Sequence, residues 1–446
     1  MNIIIIFFKL FFIIFLNMFF IFLIFFFYIS YISNSYIKMP FYKNNTNDFI
    51  SNYLNIQLNT NFKIGNPPQN IHITLSFLTQ SFILKGSLYN SEYNEKESNK
   101  SIIYNHSGLI FYDGTVFHIE YGCDRVLFEN YSNVDVYKNI KIDGFVFQLL
   151  KDSSMTDKFK SGILGLSNIV YRDDYDIPFI NHLTTRLIIK NRIFFIDYEN
   201  DTFGYIYFGN FPHFFDNNIY EEKNYRRVKN NYYSMWNLNF NNYYIGEKVI
   251  NGSSVNINFH FKGIIVDENL KKIFDELFFN KYNYLEKKNC EVNIYKVLEN
   301  NILVYKCDDS INIKKFPKFK MFHKSYNFTF EFDGNELFLK DKFENKYIFL
   351  ISFKKNEYFF QLGEIFIRKY MLVFNHGEKD IGMYIQINKN NSKFFKISKQ
   401  FLILLMFIIL IFTIIILSFF LWKAHKKKRK LRANELEDNY EYIINQ

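Results

Sequence analysis

Short apolar runs parted by turn residues dominate this chain. IHITLSFL, GFVFQLL, INFHFKG, FTFEFDGNELFL and YIFLISF alternate or are wholly apolar, and Asn, Asp and Gly separate them. A period of two residues with turn punctuation predicts short antiparallel strands, so the fold class is mainly β. Helices are expected to be few. Asn269–Asn280 (NLKKIFDELFFN) has helical spacing, with Ile273, Phe274, Leu277 and Phe278 on one side. With 446 residues, 49% hydrophobic and 21% aromatic, the chain has ample material for burial. A folded region of about 350 residues exceeds one comfortable core and suits two β-rich lobes around a cleft.

The two ends are of a different kind. Residues 1–34 open almost wholly apolar, broken by Lys9 and Asn17, and read either as a signal sequence with a long core or as an uncleaved N-terminal anchor. Phe401–Trp422 is uncharged and long enough to cross a bilayer as a helix. Seven basic residues follow it: Lys423, Lys426, Lys427, Lys428, Arg429, Lys430 and Arg432. By the positive-inside rule the tail from 423 to 446 is cytosolic, and the large region before the span is lumenal or extracellular. A single-pass membrane protein of the secretory pathway or cell surface is therefore expected. That cluster also accounts for much of the net charge of +10, so membrane orientation explains the basicity and nucleic-acid binding is not expected. Tyr440–Ile443 has the form of a tyrosine-based sorting signal.

Other chemistries find no support. The nine histidines show no His-Glu-x-x-His pattern and no Cys-x-x-Cys occurs, so neither a metal nor any other cofactor is expected. There is no Gly-x-Ser-x-Gly elbow and no phosphate-cradling glycine loop. The Asn-x-Ser/Thr sequons at Asn130, Asn200, Asn251 and Asn327 are expected by accident in so Asn-rich a chain.

Between the apolar ends a series of motifs appears in a fixed order. Ile64–Leu84 (IGNPPQNIHITLSFLTQSFIL) resembles the first catalytic loop of the pepsin-like aspartic proteases, a family that includes the plasmepsins, with Ser76, Phe77 and Leu78 in the places of Asp-Thr-Gly. FHIEYG resembles the flap strand, which gives Tyr121 and Gly122 a substrate-binding role. SGILGLS (Ser161–Ser167) resembles the segment threading behind the first loop. FFIDYENDTFGYIYFGN, ending at Asn210, resembles the hairpin of the inter-lobe sheet, and the stretch with Trp236 the start of the second lobe. GIIVDENLKKIF puts Asp267 at the second catalytic position, with Glu268-Asn269 for Thr-Gly. QLGEIF (Gln361–Phe366) and VFNHGEKDIGMYI (Val373–Ile385) complete the series.

The resemblance implies a two-lobed pepsin-like fold followed by a C-terminal transmembrane helix. Its parts are a polar segment at 35–50, an N-terminal lobe at 51–215, a C-terminal lobe at 216–388, a linker at 389–400 and the span at 401–422. It also implies one bridge in the second lobe, for which Cys290 and Cys307 are the candidates. Cys123 is left over, either buried and inert or paired with another chain.

In that family two carboxylates share a proton and activate a water. A serine hydroxyl cannot take a proton near neutral pH, and no carboxylate lies between Asp48 and Glu92 to replace it. Phe77 and Leu78 are also bulky where the family is small. The expectation is a membrane-anchored pseudoprotease that holds a peptide or protein ligand without cutting it, Asp267 being the remnant of the dyad. The alternatives are a weakly active endopeptidase of altered mechanism, with Asp267 the sole carboxylate and Ser76 positioning water, and a scaffold or adhesion ectodomain whose cleft is filled by Phe77 and Leu78.

Overall fold

The computed structural model describes residues 36–385, except 44–47, 49, 87–90, 113–114, 130–138, 151–160, 169–177, 218, 231–234, 298–299, 342–343 and 356–359, together with 419, 422–424, 426–429 and 432. The first half holds β1 (Ile37–Lys43), β2 (Leu58–Ile64), β3 (Gln69–Ser76), β4 (Phe82–Lys85), β5 (Ile102–Tyr112), β6 (Thr115–Glu129), β7 (Asn139–Leu150), β8 (Gly162–Gly165), β9 (Ile193–Tyr198) and β10 (Phe203–Phe208). The second half begins with β11 (Tyr225–Lys229), β12 (Asn237–Asn239), β13 (Asn242–Ile245), β14 (Lys248–Asn251), β15 (Ser254–Ile257), β16 (Ile264–Asp267), β17 (Cys290–Val297) and β18 (Asn300–Asp308). It continues through β19 (Phe319–His323), β20 (Phe328–Phe332), β21 (Phe338–Lys340), β22 (Lys346–Phe349), β23 (Ile351–Lys354), β24 (Phe360–Leu362), β25 (Val373–Asn375) and β26 (Asp380–Tyr384).

A 13-stranded sheet runs β11-β26-β25-β9-β10-β1-β2-β3-β8-β4-β7-β6-β5, and the second half adds a nine-stranded and a four-stranded sheet. The large sheet joins the halves where β9 pairs with β25, Phe194 opposite Phe374. Each of these strands belongs to a hairpin, β9 with β10 and β25 with β26, and each hairpin is flanked by one further strand, β1 on one side and β11 on the other. Trp236, fully buried, donates its Nε1–H to the Leu166 carbonyl at 2.8 Å and packs on Phe194 and Phe374, fastening the second half to the segment that follows β8.

The polar character expected of 35–50 does not survive in its first part. IKMPFYK alternates, and β1 pairs with β10 in register from Ile37↔Phe208 to Tyr42↔Phe203, burying Ile37, Met39 and Phe41 completely. Lys43 at its end makes an ion pair with the buried Glu364, which also meets Arg368 at 3.1 Å. Burial holds the Lys43 ammonium below its ordinary pKa, against the pull of Glu364. This first strand is thus built into the main sheet.

The expected helix after β16 is present in mixed form: a 3-10 turn at Glu268–Leu270, α-helix at Lys271–Phe274, and a π-helical turn at Asp275–Phe279. Phe274, Phe278 and Phe279 point into the core. Cys290 and Cys307 are directly opposed in the β17–β18 ladder and form a disulfide. Cys123 is an unpaired, buried cysteine in β6, and its sulfur accepts the Tyr104 hydroxyl at 3.3 Å. Among the described residues no helix is long and apolar enough to cross a membrane. Residues 1–35 lie outside the described residues, as does Phe401–Trp422 except for positions 419 and 422.

Candidate functional site

Two crossings of strand and loop, one in each half, repeat one another and define the site. In the first, β3 lies parallel to β8, ending with Ser76 opposite Gly165, and β4 returns antiparallel to β8 with Phe82 opposite Leu164. In the second, β15 lies parallel to β24, with Ile257 opposite Leu362, and β16 returns antiparallel to β24 with Ile264 opposite Leu362. Hydrogen bonds repeat as well. Gly165 N–H reaches the Ser81 carbonyl at 2.9 Å, and Gly363 N–H the Gly263 carbonyl at 2.8 Å. A Cβ on either glycine would stand 2.4 Å from the loop in front of it, so the close approach requires glycine at both.

Counting from these fixed points gives the partner of Ser76. Phe82 lies six residues after Ser76 and Ile264 lies six after Asn258, so the residue corresponding to Ser76 is Asn258. The second loop is therefore Asn258-Phe259-His260-Phe261-Lys262, ahead of β16. Asp267, expected there, stands at the far end of β16 beside Lys354 of β23 and caps the following turn, accepting Asn269 N–H at 2.8 Å. That is the only hydrogen bond its side chain makes among the described residues.

What meets Ser76 is His260. Ser76 Oγ lies 3.2 Å from His260 Nε2, while His260 Nδ1 lies 3.2 Å from the Ile56 carbonyl. A carbonyl only accepts, so Nδ1 carries the proton and Nε2 accepts the serine hydroxyl. Ser76 Oγ in turn accepts Leu78 N–H at 3.0 Å. Both functions of the hydroxyl are occupied, and Ser76 is fully buried. Burial pushes the His260 pKa down to about 4, so the ring is neutral near neutral pH. Asn258 Oδ1 accepts His260 N–H at 3.0 Å and fixes the loop's turn.

One residue on, Phe77 and Phe259 face each other edge to face at 4.4 Å, and Phe77 also meets Phe374 at 5.0 Å and Phe194 at 6.0 Å. Where the family's threonine hydroxyl ties the loops, an aromatic pair does so here. Such a pair is worth about 0.5–1.5 kcal/mol beyond the area it buries. Leu78 is partly buried and packs with Tyr121, Ile83, Ile119, Leu150 and Ile163.

Tyr121 itself is 3% exposed and sits inside the sheet, opposite Gln148 of β7, and Gly122 is opposite Phe147. β5 and β6 pair as far as Tyr112↔Thr115. Tyr112 is therefore the tyrosine beside the hairpin tip, and the placement of Tyr121 over a cleft is not what the register gives. Asn258, His260 and Tyr112 were missed in the sequence. Only the repeated ladder geometry, or a search for Tyr-x-Gly at the tip of an alternating hairpin, discloses them.

A pocket of about 240 Å³ opens beside the two loops. Phe77, Leu78 and Phe261 supply apolar wall; Asn256, Asn258, His260 and Lys354 supply polar groups, and among the described residues no Asp or Glu lines it. Among the described residues no cluster of three His, Cys, Asp or Glu could hold a metal ion. Among the described residues the site offers donors, apolar surface and a buried serine–histidine pair.

A family model described as eukaryotic aspartyl protease matches residues 57–384. No curated protein matches the chain.

Proposed function

Since the chain belongs to the eukaryotic aspartyl protease family, we propose that it is a catalytically inactive member, anchored in a membrane, whose cleft binds a peptide or protein without cleaving it. The observation that carries this reading is the pair of residues at the two equivalent loop ends, Ser76 and Asn258. Neither ionises as an acid, so the shared proton and the general base of the family's mechanism have no carrier. Binding does not need them, because an extended peptide is held by backbone hydrogen bonds and side-chain pockets. Incubating the purified protein with a peptide library at acid and neutral pH should give no cleavage. Cleavage abolished by Asp267→Ala would replace this reading with that of an altered-mechanism endopeptidase.

The sequence supports the anchoring: an uncharged segment, Phe401–Trp422, is followed at once by the basic tail. Protease treatment of intact vesicles should remove a tag placed after Gln446 and spare one placed within 216–388. The reverse pattern would invert the topology.

A second reading is favoured by one contact. Ser76 hydrogen-bonded to a neutral histidine that a carbonyl orients has the form of a nucleophile and its base. In acyl transfer the hydroxyl would attack a carbonyl, its proton passing to His260 Nε2 and then to the leaving group. Against this stands the complete burial of Ser76. A fluorophosphonate probe should leave the protein unlabelled; labelling lost in Ser76→Ala would favour the hydrolase.

A further inference from the structure

Resting on the reading of the chain as membrane-anchored, we propose that the basic residues following the span form a collar that gathers anionic phospholipids of the cytosolic leaflet around the helix. The described residues there, 419, 422–424, 426–429 and 432, are all α-helical. Two contacts tie cations to aromatic rings across the boundary. Lys423 Nζ lies 5.8 Å from the centre of the Phe419 ring, and Lys426 Nζ 5.3 Å from that of Trp422. Both are i, i+4 pairs, the spacing at which a helix brings side chains together.

The cations fall on every side of this helix. At about 100° per residue Lys423, Lys426 and Lys427 share one side, and Lys428, Arg429 and Arg432 take the other. A basic helix lying in the interface keeps an apolar face, whereas from 423 to 432 the only apolar residues are Ala424 and Leu431. A protein or nucleic-acid partner would be met from one side. Lipid headgroups surround a helix that stands upright in them, and charge on all sides suits that arrangement. The sequence supplies no acid to neutralise it: no Asp or Glu occurs between Asp380 and Glu435, so none lies within four residues of any position from 423 to 430.

Depth and charge narrow the lipid. Residues 423 to 429 cover about 9 Å of helix axis, and the headgroup layer on each side of a bilayer is about 5–8 Å thick. These side chains therefore stand level with the lipid phosphates, where an ammonium or guanidinium makes charge-assisted hydrogen bonds. Cations spread around an axis suit several headgroups of single net charge. One multiply phosphorylated headgroup would need its cations converged.

Trp422 is the reporter. The full-length chain is reconstituted at low salt in vesicles of nine parts phosphatidylcholine to one part brominated lipid, either phosphatidylserine or phosphatidylcholine. The only other tryptophan, Trp236, is buried in the fold at 0% exposure, so bromine in the acyl chains quenches Trp422. Brominated phosphatidylserine should exchange into contact about fivefold more favourably than brominated phosphatidylcholine, the preference that one cation at the leaflet surface supplies. Salt at about 1 M should bring the two lipids level. So should the combined variant Lys423→Gln, Lys426→Gln, Lys427→Gln, Lys428→Gln, Arg429→Gln, which brominated phosphatidylcholine should quench as it does the unaltered chain. Equal quenching of the unaltered chain by both lipids, or a preference that survives salt or the five substitutions, overturns the inference and leaves the anchoring intact. Quenching by neither lipid overturns both.

Discussion

Phe77 and Phe259 show how an aromatic contact holds the two central loops of this molecule together. Both are almost fully buried, at 2% and 0% exposure, and their contact bridges the two loops. Restoring the family's residue with Phe77→Thr leaves Phe259, Phe194 and Phe374 facing a void and places a hydroxyl among them. The expected cost is at least about 3 kcal/mol, read as a lower urea midpoint at unchanged slope. Because the two rings share one contact, Phe77→Thr with Phe259→Thr should cost less than the sum of the single changes. Nor should the double variant Ser76→Asp, Asn258→Asp acquire proteolysis. His260 already meets position 76, so the first new carboxylate would pair with a histidine instead of sharing a proton with the second. Peptide cleavage by that double variant would show that acids at these two positions suffice despite His260.

At the scale of elements, β1 carries more than its length suggests. Ile37, Met39 and Phe41 each lie at 0% exposure, and burying one such side chain contributes about 1.5–3 kcal/mol. Their sum is comparable with the whole stability of an ordinary domain, and Lys43 also compensates the buried Glu364. Removal of residues 1–43 should leave a chain that does not fold, seen as loss of the cooperative thermal transition; a truncated protein of unchanged melting point would show β1 to be an accessory. The β17–β18 hairpin gives a milder case. Cys307→Ser opens a loop with a sequence separation of 17 and should destabilise by about 3 kcal/mol.

The strands were legible because alternation survives wherever one face is buried, and the first loop was legible because IGNPPQ sits at the β2–β3 turn and fixes the register of Ser76. The second loop was not. Asn258–Lys262 keeps neither acid nor glycine, while IIVD, nine residues later, imitates the lost motif at the end of a real strand. Tyr121-Gly122 misleads in the same way, inside β6 instead of at its tip. A motif search finds the best surviving copy, whereas hydrogen-bond register locates the place itself. β1 was hidden for another reason: its alternation sits in an Asn-rich stretch whose composition outweighs it.

The molecule as a whole should tolerate acid poorly, and the reason lies in its histidines. His182, His260, His323 and His376 all have pKa values lowered to about 4, with burial the largest cause in each. Arg186 near His182 and Arg192 near His376 push the same way, while a backbone carbonyl at Ile56 works against burial at His260. An unfolded histidine titrates near the ordinary value of about 6.5. Between that pH and about 4 the unfolded chain therefore binds more protons than the folded one, so stability rises with pH across the window and is lost as pH falls through it. The slope per histidine is at most about 1.4 kcal/mol per pH unit. Carboxylates enter later and in both directions. Asp201, held low by its hydrogen bond to Arg368, loses its contribution only as pH drops through the carboxylate range, and Asp380, raised by burial, gains there. The melting temperature should accordingly fall steadily from pH 7 toward pH 4. His182 offers the cleanest check, since its ring lies 4.3 Å from Phe145 and its Nε2 is buried with no hydrogen-bond partner among the described residues. His182→Phe keeps the ring contact and removes the titrating group, so its melting curve against pH should be shallower than that of the unaltered chain. An unchanged slope would mean that this histidine does not remain neutral when folded.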